Sequence, residues 1–248
     1  MAHRLDSAYL KLSRATEHVK EVEAEAKLFF DAYPYIALPK YDFESGEHSF
    51  RIRALAKPPS HLGLITADAL QNLRSALDHL IYQLADLDPN VPRGERTQYP
   101  IYDDPSVFDA KSAPQLEGVP PEHRATIRTL QPYNPSFALL GPLRRLNDRD
   151  KHRVLEAFVS RATGLKIATD PVVVANITDI RQVTDPVYLD DDAVLGTFRS
   201  DREVPMTIEF RYTMGFGLRD GPRLNPEEIR RLIQLVAVIL AHFRSAFD

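Results

Sequence analysis

The sequence predicts an α+β chain that is predominantly a helical bundle of long helices, with an inserted antiparallel sheet or hairpin. Apolar residues recur in steps of three and four over the first 30 residues and again over 60–86, which predicts two long helices. Between Val204 and Tyr212 they alternate strictly with polar residues, as in a half-exposed antiparallel strand. The 248 residues are enough for one core, so we predict a single α+β domain over 1–248.

The first predicted helix, about 3–33, carries an apolar seam from Leu5 to Phe29 and ends before Pro34. This seam packs either on the chain's own core or against a second subunit. Further helices are predicted at about 60–86, 120–130, 137–161 and 225–247, and strands within 35–57 and 165–217. The last helix has the clearest start, because Asn225 can cap it and Pro226 suits its first position.

Composition excludes several classes of function. The chain has no Cys, and therefore no disulfide, thiolate zinc site or cysteine nucleophile. Its net charge of −4 provides no global basic field, so a site for nucleic acid must be local. No apolar run follows the first residues, and the longest one, Leu235 to Ala241, is far shorter than the roughly 20 residues that span a bilayer. We therefore expect a cytoplasmic protein that does not contact a membrane.

Two polar constellations are candidates for chemistry. The first runs from Asn72 to His79 in the middle of the second helix, and the second runs from Asn147 to Arg153. Residues 144–161 hold six basic and three acidic side chains, so the second constellation is locally basic. A metal site built from Asp78, His79, Asp150 and His152 is not expected, because no two His residues have the spacing of one helical face.

These constellations carry a resemblance. The phrase Leu-Arg-Ser-Ala-Leu-Asp-His-Leu, followed far downstream by Asp-Lys-His-Arg, resembles an uncharacterised family of bacterial proteins of this length. The resemblance covers most of the chain, including Tyr-Pro-Ile-Tyr and Gln-Pro-Tyr. More loosely, Arg74 and His79 are similar to the Arg-x4–6-His signature of HEPN domains. HEPN domains are helical-bundle proteins, often dimers, and many are metal-independent ribonucleases. The resemblance thus implies a homodimer that binds or cleaves RNA without a cofactor.

In the ribonuclease interpretation the catalytic residues are Arg74, His79 and His152. The unperturbed pKa of a histidine lets His79 act as general acid or base near neutral pH, and the Arg74 guanidinium would hold the phosphate. The 2′-hydroxyl of the RNA would attack the phosphorus itself. The residues expected to bind the substrate are Asn72, Asp78, Arg145, Arg149, Asp150, Lys151 and Arg153.

Helical geometry constrains this interpretation. Arg74 and His79 lie about 140° apart around a helix, so both reach one phosphate only across a dimer axis or at a helix break. The competing hypothesis is a non-catalytic dimeric binding or scaffolding protein. In it, Arg74 pairs with Asp78 one turn away, His79 is hydrogen-bonded at the rim of the core, and the two constellations contact each other.

Overall fold

The computed structural model describes residues 3–88, 90–150, 154–161, 166–169, 176–182, 192–209, 212–218 and 221–248. Its helices there are α1 (Asp6–Asp31), α2 (His61–Leu84), α3 (Pro105–Lys111), α4 (Pro121–Thr129), α5 (Leu140–Asp150) and α6 (Pro226–His242). Its strands there are β1 (Tyr35–Asp42), β2 (Glu47–Ala54), β3 (Glu156–Arg161), β4 (Lys166–Thr169), β5 (Thr178–Gln182), β6 (Val194–Arg199), β7 (Met206–Glu209), β8 (Tyr212–Gly217) and β9 (Arg223–Leu224). The predicted α+β class with antiparallel strands is confirmed.

The prediction of a predominantly long-helix bundle is wrong. Only α1, α2 and α6 are long among the described helices, with 26, 24 and 17 residues. The helices α3, α4 and α5 have 7, 9 and 11 residues. Prolines explain the short elements, since Pro105 and Pro121 each stand at a helix start and Pro100 and Pro114 lie between helices, where each removes a backbone donor.

The helix expected over 137–161 also needs correction. It begins at Leu140 and ends at Asp150, and Glu156–Arg161 is strand β3. Phe158 and Val159 explain the change, because aromatic and β-branched side chains favour a strand. A short helix that the sequence analysis did not predict, α3, begins with Asp104 as its cap, whose carboxylate accepts the Ser106 and Val107 amides.

The chain forms two compact units. The first comprises Met1–Glu23, His61–Glu156 and Phe216–Asp248, and the second comprises Ala24–Ser60 and Ala157–Gly215. The single domain expected over 1–248 stays a prediction, because compactness alone does not measure whether both units unfold together.

Helix α2 forms the core of the first unit, where it packs against α5 and α6. The predicted apolar face of α2 is buried except for Ile65; its buried members are Leu62, Ala69, Leu70, Leu73, Ala76, Leu77, Leu80, Ile81 and Leu84. The predicted start of α6 is confirmed, because the Asn225 side chain accepts the Glu228 amide and the Glu228 carboxylate accepts the Asn225 amide.

The apolar seam of α1 is largely covered within the single chain. Leu5, Ala8, Ala15, Val19, Val22 and Ala26 are all buried, while Leu12 and Phe29 are partly exposed. This agrees with the interpretation that the seam belongs to the chain's own core. Among the described residues no helix is long and apolar enough to cross a membrane.

The second unit is built on antiparallel strands. A four-stranded sheet has the order β1-β2-β6-β5, and β4 pairs with β7. The predicted hairpin is β1 and β2, in which Tyr35 faces Ala54 and Asp42 faces Glu47. Its turn needs glycine at position 46, where φ is +68° and a Cβ atom would lie 2.7 Å from the Ser200 carbonyl oxygen. In the first unit, β9 pairs antiparallel with the end of β8, where Phe216 faces Leu224 and Gly217 faces Arg223.

Candidate functional site

The first constellation lies on α2, which runs unbroken from His61 to Leu84. Its two candidate catalytic residues contact different elements: Arg74 reaches the segment that contains Gln98, and His79 reaches α1. The side chain of Asn72 donates to the Asp68 carbonyl oxygen of its own helix, at 2.8 Å. One copy of α2 therefore does not bring Arg74 and His79 to a shared partner.

Arg74 belongs to a polar network that is largely enclosed. Its guanidinium lies 3.2 Å from the Asp78 carboxylate, and only 12% of the Arg74 side chain is exposed. The same Asp78 oxygen accepts the Tyr99 amide at 2.8 Å, and Arg74 also donates to the Gln98 side-chain oxygen at 3.4 Å. The predicted ion pair between Arg74 and Asp78 is confirmed. The Asp78 carboxylate also holds the main chain at Tyr99 through the hydrogen bond from its amide.

The electrostatics of this network depend on burial. Burial raises the pKa of Asp78 above its ordinary value, and the Arg74 guanidinium and the Tyr99 amide oppose that rise without cancelling it. The ionised carboxylate is therefore less favourable in the folded chain than in water. Because the Arg74 charge is compensated by Asp78, little of it remains for a phosphate group.

His79 lies at the rim of the core. Its side chain is partly buried, and its Nδ1 atom forms a hydrogen bond of 3.1 Å with the Ser7 hydroxyl of α1. The contact joins α2 to the start of α1.

The second constellation is only partly described. Asn147 of α5 is buried, and its side chain donates a hydrogen bond of 2.5 Å to the side-chain oxygen of Gln71 on α2. Gln71 directly precedes the first constellation. Arg149 and Asp150 lie in the last turn of α5. The remaining candidates of this constellation, Lys151, His152 and Arg153, lie outside the described residues.

The basic character of α5 is partly compensated. Arg144 and Arg145 donate to the same Asp103 oxygen, at 2.8 and 2.9 Å. Two guanidinium groups on one carboxylate leave a local excess of one positive charge. Arg145 was expected to bind a substrate, and here its guanidinium is engaged by Asp103.

The Tyr-Pro-Ile-Tyr and Gln-Pro-Tyr segments pack on each other. The Gln131 side chain is fully buried, donates to the carbonyl oxygens of Pro100 and Ile127, and accepts the Tyr102 amide. The Tyr99 hydroxyl donates to the Leu130 carbonyl oxygen at 3.0 Å. These bonds fix the loop that carries Gln98 and Tyr102, although neither segment has a periodicity that predicts the contact.

Sequence analysis also missed a cleft of about 420 Å³ in the first unit. It is lined by Arg96, Gln98, Tyr102, Ala110, Lys111, Pro114 and Gln115, and is called the Arg96–Lys111 cleft below. Within it the Tyr102 hydroxyl donates to the Gln115 side-chain oxygen at 2.9 Å. The lining residues come from a proline-rich loop and from the end of α3. The only feature of the sequence that could have indicated the cleft is its two basic residues.

Metal ligation was considered for Asp78, His79, Asp150 and His152. In the part of the chain that the structure describes, no group of three or more His, Asp and Glu side chains is placed to hold a metal ion. Asp78 instead pairs with Arg74 and accepts the Tyr99 amide, and His79 forms a hydrogen bond with Ser7. A site that also requires His152 would involve a residue outside the described ones.

No family model matches this chain, and no curated protein or solved structure is significantly similar to it. The resemblance to HEPN domains therefore rests only on Arg74 and His79, and the resemblance to the uncharacterised bacterial family rests only on the segments quoted for it. Any statement of function has to be argued from the contacts given above.

Proposed function

We propose that this chain is a non-catalytic binding protein in which the first constellation holds the first unit together. One observation carries the proposal: the Arg74 guanidinium, 12% exposed, is paired with Asp78, which in turn accepts the Tyr99 amide. A phosphate-binding arginine needs free donors that face solvent or a cleft. One guanidinium nitrogen of Arg74, Nη2, contacts both Asp78 and Gln98, as expected of a structural residue.

Two further contacts support a structural role for both constellations. The bond between Asn147 and Gln71 joins α5 to α2, and the bond between His79 and Ser7 joins α2 to α1. Each contact crosses between helices, and such contacts fix how one helix sits along another. Of the described candidates, His79 and Asn147 are thus accounted for as interhelical contacts.

A second candidate is a HEPN-like protein that cleaves RNA without metal. It is favoured by the partial exposure of His79, whose described hydrogen-bond partner is only a hydroxyl group. In this proposal His79 acts as general acid or base, Arg74 and His152 assist it, and the substrate is held by Asn72, Asp78, Arg145, Arg149, Asp150, Lys151 and Arg153. Because α2 is unbroken, this candidate requires a homodimer that pools Arg74 and His79 from two chains. Both candidates assume the cytoplasmic, bacterial setting that the sequence analysis predicts.

The two candidates are separated by RNA cleavage in excess EDTA. Purified wild type, His79→Ala and Ser7→Ala would be incubated with a mixed-sequence RNA, and the Ser7→Ala variant removes the same interhelical bond while keeping the imidazole. We expect no cleavage that depends on His79. Cleavage that survives EDTA and Ser7→Ala but is lost in His79→Ala would overturn the non-catalytic proposal.

The oligomeric state is an independent test of the second candidate. Sedimentation equilibrium of the wild type measures its mass, for which one chain contributes 28.1 kDa. A strict monomer would overturn RNA cleavage by Arg74 and His79, because one unbroken helix holds them apart. A dimer that fails to cleave RNA would support the binding protein.

A further inference from the structure

The Arg96–Lys111 cleft is lined by hydrogen-bond donors. Its two charged lining residues, Arg96 and Lys111, are both cationic, and no Asp or Glu is among the lining side chains. Arg96 lies in the loop before Gln98, and Lys111 ends α3, so two separate segments present positive charge to one cavity. This arrangement favours an anion in the cavity.

Neighbouring cations of the first unit differ from these two. Arg93 lies 3.3 Å from Asp86, Arg128 makes a two-bonded pair with Asp109, and Arg144 and Arg145 share Asp103. Arg96 and Lys111 make no ion pair with any residue that the structure describes. Asp86, Asp109 and Asp103 are thus engaged by other arginines, and the described contacts leave the Arg96 and Lys111 side chains available to a ligand.

The two glutamines of the cleft also present donors. The Gln98 side-chain oxygen accepts from Arg74, and the Gln115 side-chain oxygen accepts from the Tyr102 hydroxyl. Each amide then has its acceptor occupied and its NH2 group left to donate. The main chains of Gln98 and Gln115 are themselves joined by an N–H to carbonyl bond of 3.3 Å, which holds the two donors on one wall.

The geometry points to a binding site for a small organic phosphate in the Arg96–Lys111 cleft. The phosphate oxygens bind Arg96, Lys111 and the glutamine amides, and the organic part packs against Tyr102, Ala110 and Pro114. This inference names the ligand class of the proposed binding protein and rests on that proposal.

Chemistry and size support a phosphate ester. A guanidinium fork binds two phosphate oxygens at once, and an ammonium group adds a compact charge beside it. The cavity of about 420 Å³ falls within the roughly 300–1,000 Å³ of small-molecule sites. Its aromatic and proline surface suits a ring, which inorganic phosphate lacks.

The test is isothermal titration calorimetry of the full chain with AMP, adenosine and inorganic phosphate as probes. We expect AMP to bind, adenosine to bind at least about tenfold more weakly, and phosphate to compete with AMP. Arg96→Gln and Lys111→Gln each weaken AMP binding by about tenfold. Lys20→Gln, a matched charge change on the exposed face of α1, leaves the affinity unchanged.

Several results would overturn the site. The first is that wild type with the circular dichroism spectrum of a folded protein does not bind AMP up to millimolar concentration. The second is that adenosine and AMP bind with equal affinity. The third is that Lys20→Gln weakens AMP binding as much as Arg96→Gln and Lys111→Gln do. A failure of phosphate to compete would also contradict recognition through the phosphate group. The RNA cleavage assay is read separately, so His79-dependent cleavage would overturn the non-catalytic proposal while the titration reports only on the cleft.

Discussion

Asn147 in α5 donates a hydrogen bond of 2.5 Å to the side-chain oxygen of Gln71 in α2. Asn147 is 6% exposed, whereas Gln71 is exposed, so the buried partner depends on this bond more than the exposed one does. The bond connects the second constellation to the residue that directly precedes the first, and its contribution to stability can be measured.

Replacing Asn147 with Ala should lower the free energy of unfolding by about 1–2 kcal/mol, since a buried polar contact between helices is lost. Urea unfolding measures the change, and a double-mutant cycle with Gln71→Ala isolates the pair. The control is Asn72→Ala, whose side chain bonds only within α2 and should cost less than about 0.5 kcal/mol. A coupling energy of zero would contradict the assigned contact.

Asp78 offers a second test, because two substitutions at this position affect its contacts with Arg74 and Tyr99 differently. Asp78→Ala removes the acceptor of the Tyr99 amide and leaves the enclosed Arg74 unpaired, and should cost about 2 kcal/mol. Asp78→Asn also removes the ion pair with Arg74, but it keeps an acceptor oxygen for the Tyr99 amide and removes a charge that burial disfavours. We expect it to cost less than half as much in urea unfolding at pH 7. Equal losses in both variants would show that the charge, and not the acceptor, matters.

The raised pKa of Asp78 also predicts a dependence on pH. A carboxyl group whose pKa is higher in the folded than in the unfolded chain contributes stability below its unfolded pKa, and loses it as pH rises through the folded value. The free energy of unfolding of wild type, relative to Asp78→Asn, should therefore increase as pH falls from 7 towards 4. Urea unfolding of both proteins at several pH values measures the difference.

Asp109 provides a comparison in which the pKa shift, and therefore the pH dependence of stability, has the opposite sign. Hydrogen bonds from the Arg128 guanidinium lower the pKa of Asp109, so its contribution is present at neutral pH and declines as pH falls. Wild type should thus lose stability relative to Asp109→Asn over the acid range. The same sign for both residues would refute the assigned causes.

The buried amide of Gln131 should support both the fold and the cleft. Gln131→Leu removes the bonds to Pro100, Ile127 and Tyr102 and leaves the Tyr102 amide without its acceptor. We expect a loss of about 2–3 kcal/mol in urea unfolding and weaker AMP binding, because Tyr102 lines the cleft. Thr129→Ala, at an exposed position two residues before Gln131, is the control and should change neither measurement.

Periodicity explains which parts of the fold could be predicted. The apolar face of α2 follows a period near 3.6, and Ile65 alone of that face is not buried. Asn225 and Pro226 identify the start of α6 by local chemistry. The segment from 90 to 120 lacks a periodic pattern because its prolines interrupt it, although Asp104 and Pro105 give α3 a local start signal. The strand β3 has a local signal in Phe158 and Val159, which the prediction of one helix over 137–161 overlooked.

Of the candidate site, only the contact between two residues close in sequence could be predicted. The i,i+4 spacing gives the Arg74–Asp78 contact directly, because residues four apart share a helix face. The third member, Tyr99, lies 21 residues after Asp78, and nothing in that spacing indicates a hydrogen bond to its main chain. The cleft was missed for the same reason, since Arg96 and Lys111 lie far apart in sequence and line one cavity without a local pattern that relates them.

Gly63 in α2 gives the last prediction, which concerns how α2 packs against the chain after α5. A Cβ atom at this position would overlap the Leu155 carbonyl oxygen, and both residues are buried. The obstacle is main chain and cannot rotate away, so Gly63→Ala should cost about 3 kcal/mol despite the higher helix propensity of Ala. Leu64→Ala, at the neighbouring exposed position, should change stability by less than about 1 kcal/mol. Thermal unfolding of both variants measures the difference, and an unchanged or raised Tm for Gly63→Ala would mean that α2 and Leu155 are not in contact.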